Sequence, residues 1–432
     1  MFLSALACAQ ALRIEVTTSE PLDRALYLCA IDDRPADDPV ASEFRKRPAA
    51  DPSRAAVRDA WKGRGAALAF VVSFCDDPVV LEFPKVENDE TWKSIARGLL
   101  AELAYAGALK EFQDNERAIR SALEVLGDCG FRDAWLHDAA ERDEVCAGLR
   151  NTLRPLGLPA FGREASRYLR GAPDTLLRVV VLDTPGGLGL QLGGVQPSVS
   201  VAVPFHAQDP IWLVAHEMLH RYEPSQATLG LLRELRSADD FYGHAAERIQ
   251  GEFHEGEEEE LVEAAAMCAL VESKLMTRTR ALRKMKNAFY STNTDERGEP
   301  LAAILFEERL ASGKDDKKDY DTFVQGALHR GAIRAGEVKA RYEEVIRPVA
   351  GSAGMVLEVH DDRCVVSRVL DGSAAAAAGL AAGDVISRIA EVDTKGLSVD
   401  DVLDALAGEV GHELPLSIDR GGEAVHFTIT LR

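Results

Sequence analysis

At 432 residues, 46% of them hydrophobic, the chain is long enough for roughly two to four domains with substantial cores. Its 71 acidic and 50 basic side chains give a formal charge of −21, which argues against nucleic acid or an anionic membrane surface as a partner. The longest apolar stretches, such as Ala66 to Phe74, are strand-sized, so no transmembrane segment is expected.

In chain order, Met1 to Ala11 reads as the end of a secretory signal peptide. Ala9-Gln10-Ala11 forms an A-x-A cleavage site, although no basic segment precedes it. A secreted or periplasmic location follows if this is a signal, and a cytoplasmic one if it is not. Removing it takes Cys8 and leaves Cys29, Cys75, Cys129, Cys146, Cys268 and Cys364. Their wide spacing and apolar settings fit buried thiols as well as disulfides, and no CxxC suggests a second metal site. Residues 12–165 read as an α/β accessory region. It has strands at Leu12–Thr17 and Ala67–Phe74, helices at Thr91–Leu109, Asn115–Leu126 and Glu141–Leu149, and a Pro-, Asp- and Ala-rich loop over Asp32–Ser53.

Next, Leu176–Asp183 reads as a strand leading into Pro185-Gly186-Gly187-Leu188-Gly189. Those glycines lack the helix and lysine of a phosphate loop and read as a turn. Pro197–Pro204 alternates small polar and apolar residues, as a strand does. A helix then starts with Asp209 as N-cap and Pro210 in its first turn, and runs through apolar Ile211–Ala215 into His216-Glu217-Met218-Leu219-His220. On a helix, residues at i and i+4 share a face, so His216 and His220 can offer both imidazoles to one metal with Glu217 beside it. That set points to one Zn²⁺, which lowers the pKa of its water to about 7, with Glu217 as the base that takes the proton.

The third ligand must come from elsewhere. Arg221-Tyr222-Glu223-Pro224 follows the motif, so the HExxHxxGxxH extension is absent. Gly256 to Val271 starts acidic and turns apolar, a pattern expected of a helix with an exposed first turn and a buried remainder. Glu263 is carried furthest into the apolar stretch, and Glu259 lies one turn earlier on the same face, so the two could serve as ligand and supporting partner in either order.

Together these segments resemble the gluzincins, zinc peptidases in which HExxH on one helix is completed by a glutamate on a later one. The resemblance covers roughly residues 175 to 280. It implies that Pro197–Pro204 is an edge strand beside the cleft, pairing with extended substrate. Within the group the chain is similar to bacterial domains with a Glu-x-Leu-Val-Arg-Ala pattern on the second helix. Against that pattern Glu259-Glu260-Leu261-Val262-Glu263-Ala264 makes Glu259 the ligand and replaces the arginine with Glu263. The family also implies an oxyanion-steadying Tyr or His, for which Tyr290, Tyr320 and His329 are candidates; Tyr222 and His206 are read as core or supporting residues.

At the C-terminus, Val369–Ile386 holds a strand, an alanine-rich helix and Gly379-Leu380-Ala381-Ala382-Gly383-Asp384. This segment resembles the PDZ domains that accompany bacterial proteases. Gly379 and Gly383 suit positive φ, and Asp384 can bond the turn backbone. A helix over Val399–Leu406 and a hairpin of Leu414–Ile418 with Ala424–Leu431, turned at Arg420-Gly421-Gly422, complete the module. The resemblance implies a carboxylate-binding loop and groove strand over Ser352–Leu357, with Gly354, Met355, Val356 and Leu357 as peptide-binding residues. Alanine stands at 353 where a larger apolar residue is common.

The reading is therefore an α+β chain: an accessory region at 12–165, a gluzincin-like zinc peptidase of edge-strand sheet and active-site helices at 166–349, and a β-barrel-like PDZ domain at 350–432. Its partners would be a peptide or protein substrate and a C-terminal peptide ligand. The alternatives are an inactive protease-like binding protein acting through its PDZ domain, and a zinc hydrolase of a non-peptide bond.

Overall fold

A computed structural model describes residues 13–29, 31, 34–47, 117–153, 164–165, 168, 176–182, 190–193, 198–204, 209–220, 222, 224–253, 258–288, 298–312 and 319–432. The expectations at 1–11, Ala67–Phe74, Thr91–Leu109 and Pro185–Gly189, and those for His206 and Tyr290, lie outside these residues. The chain divides into two units, 1–222 and 223–432.

The first unit is built on a four-stranded sheet of β1 (Arg13–Thr18), β2 (Leu176–Leu182), β3 (Leu190–Gly193) and β4 (Ser198–Pro204) in the order β1-β2-β4-β3. The β1, β2 and β4 strands are parallel, and β3 runs antiparallel to β4. The β2 sequence, Leu-Leu-Arg-Val-Val-Val-Leu, is buried except at Arg178, as an interior parallel strand requires. Arg178 instead pairs with Glu15 on β1 at 2.9 Å. β4 was expected at the edge but lies inside, between β2 and β3; among the described residues the sheet ends on that side with the short antiparallel β3.

Around this sheet the unit carries α1 (Glu20–Cys29), α2 (Pro39–Lys46), α3 (117–128), α4 (Phe131–His137), α5 (Ala139–Leu153) and α6 (Pro210–Leu219). The α2 helix corrects the loop expected over Asp32–Ser53. The Asp38 side chain caps it by accepting from the Ala41 amide at 2.9 Å, Pro39 opens its first turn, and Val40, Ala41 and Phe44 are buried. An N-cap, a first-turn proline and one apolar face are enough for a helix despite the loop-like composition.

The second unit opens with seven helices among its described residues: α7 (Gln226–Ala238), α8 (Asp240–Phe253), α9 (Glu259–Glu272), α10 (Arg278–Asn287), α11 (Pro300–Ser312), α12 (Tyr320–His329) and α13 (Val338–Ile346). At its centre, α9 is buried from Glu259 to Leu270. The exposed first turn expected for this helix is therefore wrong. Glu259 and Glu260 are 5% and 3% exposed. Glu260 can be buried because its Oε2 accepts from the amides of Leu301 at 2.7 Å and Ala302 at 3.1 Å, the otherwise unbonded donors of the first turn of α11.

After a short 3₁₀ turn, Arg347–Val349, come β5 (Met355–His360), β6 (Arg363–Val369), α14 (Ala374–Ala378), β7 (Val385–Ile389), β8 (Val392–Asp393), α15 (Val399–Ala405), β9 (Glu413–Arg420) and β10 (Glu423–Thr430). The sheet order is β10-β9-β7-β6-β5, antiparallel throughout, with β8 on β7. Its core is apolar, formed by residues such as Val366, Ile386, Val402, Leu416 and Ile429. The expected turn forms: Gly379 has φ +84°, and the Asp384 side chain accepts from the Ala381 amide at 2.8 Å. Arg420 grips the same carboxylate with both Nε and Nη2 at 2.7 Å, which holds Asp384 below the ordinary carboxyl range. The hairpin turns at Gly421-Gly422, as expected.

Candidate metal centre and peptide groove

The Asp209 side chain caps α6 by accepting from the Trp212 amide at 3.1 Å, and Pro210 opens the helix. Leu213 through Leu219 are all buried, so the helix carries His216 and Glu217 into the interior. The motif occupies the last turn: Leu219 is the final helical residue and His220 the C-cap. The Nε2 atoms of His216 and His220 lie 3.0 Å apart. Their rings are 4.7 Å apart between centroids and nearly perpendicular at 78°. His216 and Glu217 are each 7% exposed.

Among the described residues, His216, Glu217 and His220 form the one group of three or more His, Cys, Asp or Glu side chains able to hold a metal, with ligand atoms within 4.8 Å of one another. Two nitrogens bound tetrahedrally at 2.0–2.1 Å would stand about 3.3 Å apart, so the observed spacing fits one ion. The helix C-terminus also favours a cation, because its carbonyl ends carry partial negative charge. Both the donor types and their geometry suit zinc.

The other expected site residues are described within their own units. Glu259 and Glu263 belong to the second unit, on the first turns of α9, 5% and 2% exposed. The Tyr320 hydroxyl is directed at the Leu261 carbonyl, 3.0 Å away, and its ring is buried. His329 is exposed at the end of α12. Tyr222 is a core residue, 3% exposed. Sequence reasoning missed β3, which ends the sheet among the described residues; the glycine-rich stretch before it, read only as a turn, was the available signal.

The second candidate site is a groove. Among the described residues β5 ends its sheet and leaves one side for a further strand. Opposite stands α15, and the half-buried Met355, Val399 and Leu403 lie where the two meet the core. The loop before β5 is tightly held. Ser352 exchanges backbone hydrogen bonds with Arg432, the Gly354 carbonyl accepts from Leu370, and that of Ala353 accepts from Ala375. Gly354 has φ +69°, and a Cβ there would stand 2.2 Å from Cβ of Ser373, so only glycine fits. Met355 and Leu357 face the core side, whereas Val356 is 37% exposed.

The PDZ domain family matches residues 345–419. This segment is a PDZ domain. Among solved structures, the PDZ domain of a carboxy-terminal protease from Vibrio cholerae in complex with peptide is 26% identical, covers 19% of this chain and 93% of its own, and has a TM-score of 0.18. An HtrA-type protease with a decapeptide is 23% identical over 23% of this chain and 34% of its own, with a TM-score of 0.20. An aminopeptidase N family protein from Idiomarina loihiensis is 12% identical over 64% of this chain and 62% of its own, with a TM-score of 0.23. All three are weak likenesses. No curated protein matches the chain.

Proposed function

We propose that this protein is a zinc-dependent peptidase that hydrolyses peptide bonds at His216, Glu217 and His220, with its PDZ domain binding substrate or partner peptide. The observation that carries this reading is the approach of two imidazole Nε2 atoms to 3.0 Å beside a largely buried carboxylate. His216 and His220 would hold the ion, and the third ligand is assigned to Glu263 or Glu259 of α9. Bound zinc supplies Lewis acidity to the scissile carbonyl and makes water a nucleophile at neutral pH. Glu217 takes the water's proton and passes it to the leaving amine. β3, which ends the sheet among the described residues, is assigned the extended substrate in place of β4, because an antiparallel end strand offers backbone groups for pairing.

The test is metal content together with hydrolysis. Glu217→Gln should retain zinc and lose peptide hydrolysis by a factor on the order of 10²–10⁴, since the amide cannot accept the proton. His216→Ala with His220→Ala should remove the zinc. Stoichiometric zinc in that double variant, or parental turnover by Glu217→Gln, would refute the site. The PDZ match favours one second reading, a binding protein without catalysis. Peptide capture by a zinc-free protein that cleaves neither short nor long substrates would establish it.

A further inference from the structure

Along α10 and its N-cap, Thr277, Arg280, Arg283 and Lys286 recur every three residues, so each neighbours the next along a ridge that winds round the helix. Each meets the PDZ domain or the segment leading into it. Arg280 Nη2 is 2.6 Å from Asp401 Oδ1, and its Nε is 3.4 Å from Asp404 Oδ2. Arg283 Nη2 reaches Asp400 Oδ1 at 2.7 Å and Asp404 Oδ1 at 3.1 Å. Thr277 Oγ1 donates to Asp404 Oδ2 at 2.8 Å. Lys286 Nζ donates to the carbonyls of Val349 at 2.8 Å and Ala350 at 3.0 Å.

All three aspartates lie on α15, the helical wall of the groove. A lone exposed ion pair would hold that helix weakly. Here two guanidinium groups share three carboxylates, and the side chains of Arg280, Arg283 and Asp404 are only 17%, 13% and 14% exposed. The opposite face of α15 carries Val402 into the domain core, so the helix is held from both sides.

We infer that Arg280 and Arg283 are positioning residues for the PDZ groove: from outside the domain they hold its helical wall and set the width that a peptide meets. The inference rests on the reading that this groove takes a peptide. A groove held at its bound width spends less free energy on ordering when the ligand arrives, so releasing the wall weakens binding.

The experiment uses the full chain, as wild type, as Arg280→Gln/Arg283→Gln and as Arg280→Lys/Arg283→Lys. Amide hydrogen exchange is followed in α15 and in the β9–β10 hairpin. Binding is measured with a fluorescein-labelled decapeptide of alternating Ala and Ser ending in Val with a free carboxylate. In the Gln variant, exchange in α15 should quicken while the hairpin stays protected, and the decapeptide Kd should rise on the order of tenfold. The Lys variant, which keeps both charges, should recover most of the affinity. Unchanged α15 exchange in the Gln variant overturns the inference, and so does an equal Kd in wild type and Gln variant. If wild type does not bind the decapeptide while α15 exchange quickens in the Gln variant, the peptide reading fails and the hold on the helix stands.

Discussion

Glu259 and Glu263 sit one turn apart on α9, both withdrawn from water, and metal binding would tell their proposed roles apart. Replacing the true ligand by Ala should release the metal, whereas replacing a supporting carboxylate should cost about 10–100-fold in affinity or activity. Zinc stoichiometry and turnover of Glu259→Ala and Glu263→Ala would rank them. Unchanged zinc and activity in both would remove α9 as the ligand source. The histidine pair was legible in the sequence because i, i+4 spacing on a capped helix already defines a shared face. The burial of Glu259 and Glu260 was not, because the amides that satisfy Glu260 come from α11, 41 residues further along the chain. A run of four glutamates reads locally as a solvated helix start, and only the tertiary partner reverses that.

At the scale of elements, this same contact gives α11 a titrating cap. Burial, opposed by the hydrogen bonds from Ala302 and Leu301, pushes the Glu260 carboxyl up from its ordinary 4.5 to about 7. Because the folded value lies above the unfolded one, the stability this group contributes is full below about pH 4.5 and is lost as pH rises through 7. The difference amounts to roughly 3 kcal/mol. Glu260→Gln can still accept from both amides, so it should flatten the fall in melting temperature between pH 5 and 8; an identical fall in wild type and variant would refute the assignment. Short elements were the least legible. The four-residue β3 follows a glycine-rich stretch and has no period to detect, and edge position depends on pairing partners that a single strand does not reveal. The α2 helix did announce itself with Asp38-Pro39, but a proline- and aspartate-rich setting obscured it. The C-terminal elements were readable because turn glycines and strand alternation are local signals.

For the whole molecule, the two proposed sites should separate by substrate length. An excess of a free-carboxylate decapeptide should slow cleavage of a long protein substrate and leave a short chromogenic peptide untouched, since groove binding adds affinity remote from the reacting bond. Equal inhibition of both would mean that the peptide competes at the catalytic centre. No described helix is long and apolar enough to cross a membrane. The pairing of Ser352 with Arg432 bears on anyone who would express the PDZ domain alone. Cutting at the family limits, 345 and 419, discards β10, with Ile429 and Leu431 buried in the core and Arg432 beside the peptide loop. Extending the fragment to 432 restores those neighbours but leaves Asp400, Asp401 and Asp404 without their arginines. Affinities measured on such an excised domain would describe a looser receptor than the one the intact chain carries.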